Sequence, residues 1–480
     1  MRATLLGALA VLTASVPGVG RGDDWPQFRG PNGSATSTEK KLPVQWGSDK
    51  NIAWKTKLPG YGWSSPIVWG DKVFLTTAVS EKQRKPAAGF GGGGRPGQGG
   101  GRPGQGGRGG FGGRRQAPDA IYKLEVYCLD RASGKVLWKQ PAYEGKPHIP
   151  TQASNTYATE TPVTDGERVY AYFGMHGVYC YDLSGKQLWK ADLGSYSMAM
   201  GHGTGSSPAL ADGRLFIQCD NEEKSFLAAL DAKTGKELWR VKRSERTGYS
   251  TPLIWKNKAR TEVVCLGSPR VRSYDPATGK QLWELGGMAG QAKATPVASG
   301  ELLFVGTGGG PGGFGGRGGR GGRGGGLGGG GSRPLFAVKA GASGDITLKA
   351  GATSNDGIAW YQPKAGPQTA SPVLYQGYLY VLDERGGYLS CYDAKTGKQE
   401  YKERLTGARG FTSSPWAADG KVFFLDDAGT THIVQAGPTF KILGKSLLGE
   451  MCWSSPAVAG QALFLRTVDH LFCIKQKDGE

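Results

Sequence analysis

The phrase at residues 231–239, DAKTGKELW, recurs in close variants along the chain. They are DRASGKVLW at 130–138, DLSGKQLW at 182–189, DPATGKQLW at 275–283 and DAKTGKQEY at 393–401. A chain that rewrites one supersecondary unit builds a stack or ring of like units, none of which buries its apolar face alone. A second phrase, Ser or Thr followed by Pro, falls between the copies. Eight instances introduce a short apolar run, at Pro66, Pro162, Pro208, Pro252, Pro296, Pro372, Pro415 and Pro456. Pro162 and Pro208 are 46 residues apart, the next two intervals are 44 each, and the last two are 43 and 41. That period suits one four-stranded propeller blade. The two longer intervals, 66–162 and 296–372, each contain a Gly-rich segment.

One period shows how a blade is written. Residues 208–220, PALADGRLFIQCD, read as a short strand, an Asp-Gly turn and an apolar strand. Asp165-Gly166 and Asp419-Gly420 repeat the turn, where Gly supplies the positive φ a tight hairpin needs. KSFLAALD alternates as a third strand. Asp231 and Gly235 then bracket a second turn, in which the Asp carboxylate accepts from backbone N–H groups two or three residues on. KELWRVK is the outer strand, and its Trp fills the gap against the neighbouring blade. The repeated residues are therefore structural: Asp130, Asp182, Asp231, Asp275 and Asp393 at turns; Trp138, Trp189, Trp239, Trp283 and Trp54 on outer strands. The last unit starts at Ser454 and lacks an outer strand. NIAWKTKLPG at 51–60 is similar to GIAWYQPKAG at 357–366, so residues 52–58 complete that last blade and leave the ring no open edge. The expected fold is all-β: a single eight-bladed propeller of four-stranded antiparallel blades over residues 23–480.

These motifs resemble the quinoprotein-like (PQQ-like) repeat, an eight-bladed propeller family with A-x-D-x-x-T-G-x-x-x-W signatures. The resemblance covers nearly everything from Trp25 to Lys477 outside the Gly-rich segments. It implies one of two roles. Some members are periplasmic alcohol or sugar dehydrogenases with pyrroloquinoline quinone and Ca2+ on the propeller axis. Others are non-enzymatic, such as the propeller lipoprotein of the outer-membrane β-barrel assembly machinery. The alcohol-oxidising members typically carry adjacent cysteines flanking the quinone. Here the nearest pair, Cys452 and Cys473, is 21 residues apart, and there is no CxxCH for haem. The expectation is a non-catalytic binding or scaffolding module without a cofactor, with a quinone- and Ca2+-dependent dehydrogenase as the alternative. The chain also departs from the assembly lipoprotein, having no lipobox Cys and two Gly-rich segments.

The N-terminus carries one Arg, an apolar run and then small residues, the pattern of a signal peptide over residues 1–22. The run is short for a membrane span and no later stretch is longer. An exported protein is expected, periplasmic or extracellular, soluble, not lipid-anchored and monomeric. Cys128, Cys180, Cys391 and Cys473 occupy a repeat position that elsewhere holds Ala229, Ser273 and Ala337, which marks a small buried site rather than a disulfide or metal ligand. The net charge of +19 falls to +10 once the nine arginines of the Gly-rich segments 89–115 and 308–333 are set aside. Those segments cannot bury a core and are expected to be disordered. They are similar to RGG tracts, yet an exported protein is not expected to meet nucleic acid.

Ligands of propellers bind at the mouth of the central channel. The residues just before each Ser/Thr-Pro are placed there: Tyr61 and Trp63, Tyr157 and Glu160, His202, Tyr249, Gln291 and Lys293, Gln368, Arg409 and Phe411, Met451 and Trp453. The candidate ligand-binding set is Trp63, Tyr157, Glu160, His202, Tyr249, Lys293, Arg409, Phe411 and Trp453. Aromatic faces with a few polar groups suit a planar cofactor, a sugar or an extended peptide. Arg409 and Lys293 suit a carboxylate. Glu160 is the single acid of the set, which argues against a hard-cation site. The five His are scattered without zinc spacing, so no metal and no catalytic residue is assigned. The expected partner is an envelope protein or a polysaccharide. The competing reading is that these side chains merely fill the axis.

Overall fold

Each run between turn signals becomes a strand, and the strands assemble into eight antiparallel sheets. The computed structural model describes residues 24–47, 49–86, 116–308, 332–384 and 386–476. The inner strands are Ile67–Trp69, Val163–Thr164, Ala209–Ala211, Leu253–Lys256, Val297–Ala298, Val373–Tyr375, Trp416–Ala418 and Ala457–Ala459. They number blades one to eight in that order. Inner strands touch between blades two, three and four, between blades five, six and seven, and between blades eight and one. Blade eight is completed by Ile52–Lys57, antiparallel to His470–Lys475, as the sequence reading requires. Among the described residues blade four alone has a fifth strand: Gly344–Asp345 runs parallel to Trp283 and Glu284. The leader at 1–22 and almost all of both Gly-rich segments lie outside the described residues. Their flanks connect the second and third strands of blades one and five, at the same end as the Ser/Thr-Pro phrases.

The Ser/Thr-Pro phrase closes the ring at its centre. The N–H of Ser65 donates to Thr161 Oγ1 at 2.9 Å, Thr161 to Ser207 Oγ at 2.9 Å, and Ser207 to Thr251 Oγ1 at 3.1 Å. Thr251 donates to Thr295 at 3.3 Å, Thr295 to Ser371 at 2.9 Å, and Ser371 to Ser414 at 3.0 Å. Ser414 donates to Ser455 at 2.9 Å, and Ser455 returns to Ser65 Oγ at 3.1 Å. All eight residues are buried. The following Pro holds its predecessor extended and lacks an N–H that would otherwise need a partner at the crowded axis.

The longer repeat is a clasp between blades. Trp138 Nε1 donates to Leu183 O at 3.0 Å, Trp189 to Ala232 O at 3.1 Å, and Trp239 to Pro276 O at 3.3 Å. Trp54 donates to Arg131 O at 2.9 Å across the closing seam. Each acceptor lies in the Asp-to-Gly turn of the next blade, Asp-x-x-Thr/Ser-Gly in three of them and Asp-x-Ser-Gly at Leu183. The turn Gly lies flat on the same indole: a Cβ on Gly235 would fall 2.5 Å from Trp189. Within the turn, Asp231 accepts from the N–H of Thr234 at 2.8 Å and its hydroxyl at 2.7 Å, which holds the carboxyl below its ordinary range. Asp130, Asp182, Asp275 and Asp393 do the same.

Three sequence expectations need adjusting. Trp283 does not clasp, because blade five lacks the turn. It is fully buried and donates instead to Glu262 of its own blade at 2.6 Å. Trp360, absent from the expected set, clasps blade six through Ala394 O at 3.0 Å. The tight turn has positive φ at both residues at Asp212-Gly213 and Asp419-Gly420, but Asp165 keeps a negative φ and caps the N–H groups of Glu167 and Arg168. All seven cysteines are buried and unpaired, as a small core position predicts.

The sequence held no sign that residues 24–37 cross the axis. Trp25 exchanges two backbone bonds with Val68, and Pro26 O accepts from Thr164. Gly33 lies against Leu253, and Ala35 O accepts from Ala417. The segment thus touches the inner strands of blades one, two, four and seven. Arg29, buried, donates to the carbonyls of Thr295 and Pro372. Further on, Trp46 packs beside the outer strand Ile442–Leu447 of blade seven, where the repeat has no Trp.

Two variants test this account. Thr161→Val is expected to leave the buried Ser65 N–H without an acceptor and to cost about 1–3 kcal/mol in urea unfolding. Gly235→Ala and Gly213→Ala share a positive φ, but nothing lies near Gly213. Gly235→Ala is expected to cost about 1–3 kcal/mol more than its partner variant, by overlap with the Trp189 ring.

Candidate functional site

The entry loops and the ends of the second strands lie at the Ser/Thr-Pro end of the ring. The nine expected site residues do not converge there on one pocket. Trp63 and Trp453 do meet, with ring centroids 5.3 Å apart across the seam between blades eight and one. Trp63 is fixed by a 2.8 Å bond from Nε1 to Ser154 O. Lys293 and Arg409 are exposed on the rim, on the approaches to blades five and seven. Tyr249 is half-buried, and its hydroxyl is buried without a partner. His202 is half-buried, and its carbonyl accepts from Thr151 and Asn155.

The other three turn away from the mouth. Tyr157 packs edge-on to Tyr122 and donates to Ile149 O at 2.9 Å, because its loop folds over blade two. Phe411 is core, 2% exposed, beside His432. Glu160 is 1% exposed, with one carboxylate oxygen lacking a partner. Burial pushes its carboxyl up to about 7, offset in part by the Thr204 hydroxyl.

Glu160 is not the sole acid at this end, as the sequence suggested. The strand ends add Asp220, Glu384, Asp426 and Asp427, which lie too far apart in sequence to be read as one set. Asp220 holds the buried Arg243 through Nε at 2.7 Å and Nη2 at 3.0 Å. Glu384 accepts from the N–H groups of Thr369 at 2.5 Å and Ala370 at 2.7 Å, and burial pushes it up to about 7. Asp426 accepts from the N–H groups of Arg409, Ala428 and Thr430. Asp427 accepts from Thr412, and burial raises it to about 6.

A hard cation wants six or more oxygens, several of them carboxylate. Among the described residues no three His, Cys, Asp or Glu come together around a metal position. The acids present are paired with Arg243, bonded to backbone N–H groups, or isolated. The axis itself is crossed by residues 24–37 with the Arg29 cation, which burial lowers to about 9. No helix among the described residues is long and apolar enough to cross a membrane.

The closed ring of meanders and the Trp–Gly clasps define an eight-bladed propeller of the PQQ-like repeat class. A family model described as outer membrane protein assembly factor BamB matches residues 122–310 and 345–437, more than half of the chain, and the chain belongs to that family. The crystal structure of BamB from Moraxella catarrhalis superposes with a TM-score of 0.50 at 12% identity, covering 75% of this chain and 92% of that one. Quinohemoprotein alcohol dehydrogenase from Comamonas testosteroni gives a TM-score of 0.57 at 11% identity, covering 95% and 81%. At such identities both likenesses are of fold alone. A tetrathionate hydrolase from Acidithiobacillus ferrooxidans is 27% identical over 234 residues, 38% of this chain and 46% of the hydrolase. The chain thus aligns with less than half the length of that relative.

The raised carboxyls set a pH dependence. Glu160 and Glu384 are neutral in the fold up to about pH 7 but ionise in the unfolded chain above their ordinary value of 4.5. Their contribution is therefore present at low pH and is lost as pH rises from about 4.5 through 7. Glu160→Gln is expected to gain up to about 3 kcal/mol on the wild type at pH 8 relative to pH 5, read from paired urea titrations.

Proposed function

We propose that this protein is an exported, non-catalytic propeller of the cell envelope, periplasmic or extracellular, that binds a segment of a partner protein at its Ser/Thr-Pro mouth. The observation that carries this reading is membership of the family described as outer membrane protein assembly factor BamB, matched over 122–310 and 345–437. Residues 24–37 support it: they cross the axis from the opposite end, which leaves the rim and its loops as the surface for a partner. The aromatic and cationic rim residues Trp453, Tyr249, Lys293 and Arg409 suit a peptide better than a metal. A polysaccharide is the other occupant such a rim accepts. We further propose that the protein works without pyrroloquinoline quinone or Ca2+.

Titration of the full chain with pyrroloquinoline quinone, with and without Ca2+, tests the cofactor part, using tryptophan emission as the readout. No saturable quenching is expected at micromolar quinone. One-to-one quenching that depends on Ca2+ overturns the non-catalytic reading in favour of a quinone-dependent dehydrogenase. Crosslinking in envelope extracts followed by affinity capture tests the partner. An envelope protein linked through rim residues is expected, and recovery of polysaccharide alone would overturn the protein-partner assignment.

A further inference from the structure

The loop 146–157 leads from the outer strand of blade one, Val136–Gly145, to the inner strand of blade two, and it folds back over blade two. Two imidazoles pin it there. The main-chain N–H of His148 donates to His176 Nε2 at 3.2 Å, and His148 Nδ1 donates to Met175 O at 2.9 Å. The two rings stack with centroids 4.8 Å apart. His176 ends the short turn Gly174–His176 between the second and third strands of blade two, and its Nδ1 donates to Phe173 O at 3.2 Å. His176 is 8% exposed and His148 is exposed, so the pair lies close under the surface.

These contacts fix a protonation state. His176 Nδ1 gives its hydrogen to a carbonyl and Nε2 receives one from the backbone, so Nε2 carries the lone pair of a neutral ring. A further proton can enter His176 only at the nitrogen that holds His148. There it sets N–H against N–H, and the bond to the loop is lost. The groups facing the ring bring no counter-charge. They are Tyr143 from the outer strand of blade one, with centroids 4.7 Å apart, Tyr157 from the entry to blade two at 5.8 Å, and His148 from the loop. Tyr179, on the third strand of blade two, donates to the His176 carbonyl at 3.0 Å. None of these is a carboxylate. Burial, and after it the neighbouring His148, hold His176 down to about 4.

The same loop supports the mouth. Ser154 O accepts from Trp63 Nε1 at 2.8 Å, and Asn155 Nδ2 donates to His202 O at 2.9 Å and Thr204 O at 3.0 Å. Tyr157 closes the loop on itself by donating to Ile149 O, one residue after His148. We infer that His148 and His176 are an acid-sensitive latch on the mouth: neutral His176 clasps the loop 146–157 to blade two, and a proton on its Nε2 releases the loop and with it the supports of Trp63 and His202. That the latch governs binding of a partner segment rests on the function proposed above; the latch itself rests on the contacts of the two imidazoles. In the released loop His176 returns to its ordinary value of 6.5. Its closing contribution is therefore whole above pH 6.5 and is lost as pH falls from 6.5 through about 4.

The full chain is followed from pH 7.5 to 4.5 by amide hydrogen exchange, and 15N-histidine labelling reads its five imidazoles directly. At pH 7.5 His176 is expected as the Nδ1–H tautomer. Amides of 146–157 are expected to lose protection about tenfold or more by pH 4.5, relative to those of the Ser/Thr-Pro ring and in step with the His176 titration. His176→Gln keeps an acceptor for the His148 N–H and a donor for Phe173 O but takes up no proton. Its loop is expected to stay protected over the whole range. If this variant does not fold, the wild-type titration carries the test. Loop protection that does not change with pH in the wild type, acid opening that persists in His176→Gln, or a His176 that titrates without any change in the loop overturns the latch. Acid opening with no envelope partner captured at either pH leaves the latch standing and overturns the binding reading. Capture of a partner without acid opening overturns the latch and leaves the binding reading standing.

Discussion

The ring of eight N–H to hydroxyl bonds is the constraint on which the rest of the molecule depends. A blade is a twisted four-stranded sheet whose inner strand would otherwise present unpaired backbone to the axis. Placing a Ser or Thr at each entry lets every inner strand satisfy its neighbour, and the eighth bond returns to the first. Closure is what gives the bonds their geometry. No blade supplies both the donor and the acceptor of any one bond, so the set exists only in the complete ring.

The outer circumference is held by a different device with the same logic. Each clasping Trp reaches from its own outer strand to the turn of the next blade, and the turn Gly is bare so that the indole can lie on it. Where the turn is missing, the chain substitutes. Trp283 turns inward to Glu262, and Gly344–Asp345 covers the edge of blade four. Blade seven has no outer Trp, and Trp46 packs there from the N-terminal segment. The strand Ile52–Lys57 completes blade eight, and the seam to blade one is crossed by the Ser455–Ser65 bond, the Trp54 clasp and the Arg466 contacts to Ser64 and Thr76.

Concentrating so much at one seam also shapes the mouth. Arg466 holds the blades together through Nη1, and Gly62 packs against its guanidinium. The Trp63 and Trp453 rings lie alongside, tilted against each other. Elsewhere on this face Asp220 pairs with Arg243, and Glu384, Asp426 and Asp427 accept from backbone N–H groups.

The sequence by itself determined the blade count, the period, the Asp turns, most of the clasps and the strand that closes the ring. These follow from local periodicity and turn chemistry, which act over a few residues. It also placed Trp63 and Trp453 at the mouth, since position relative to a Ser/Thr-Pro is a local property. Tertiary structure decided the rest. Tyr157, Phe411 and Glu160 stand five, four and two residues before their Pro, not three as Trp63 and Trp453 do, and packing buries all of them. Arg466 sits inside an apolar strand run, and its tie to Ser64 spans 402 residues of chain. Arg29 and residues 24–37 carry no periodic signal at all. Their place on the axis follows from filling the space that eight blades leave between them, a quantity no local stretch encodes.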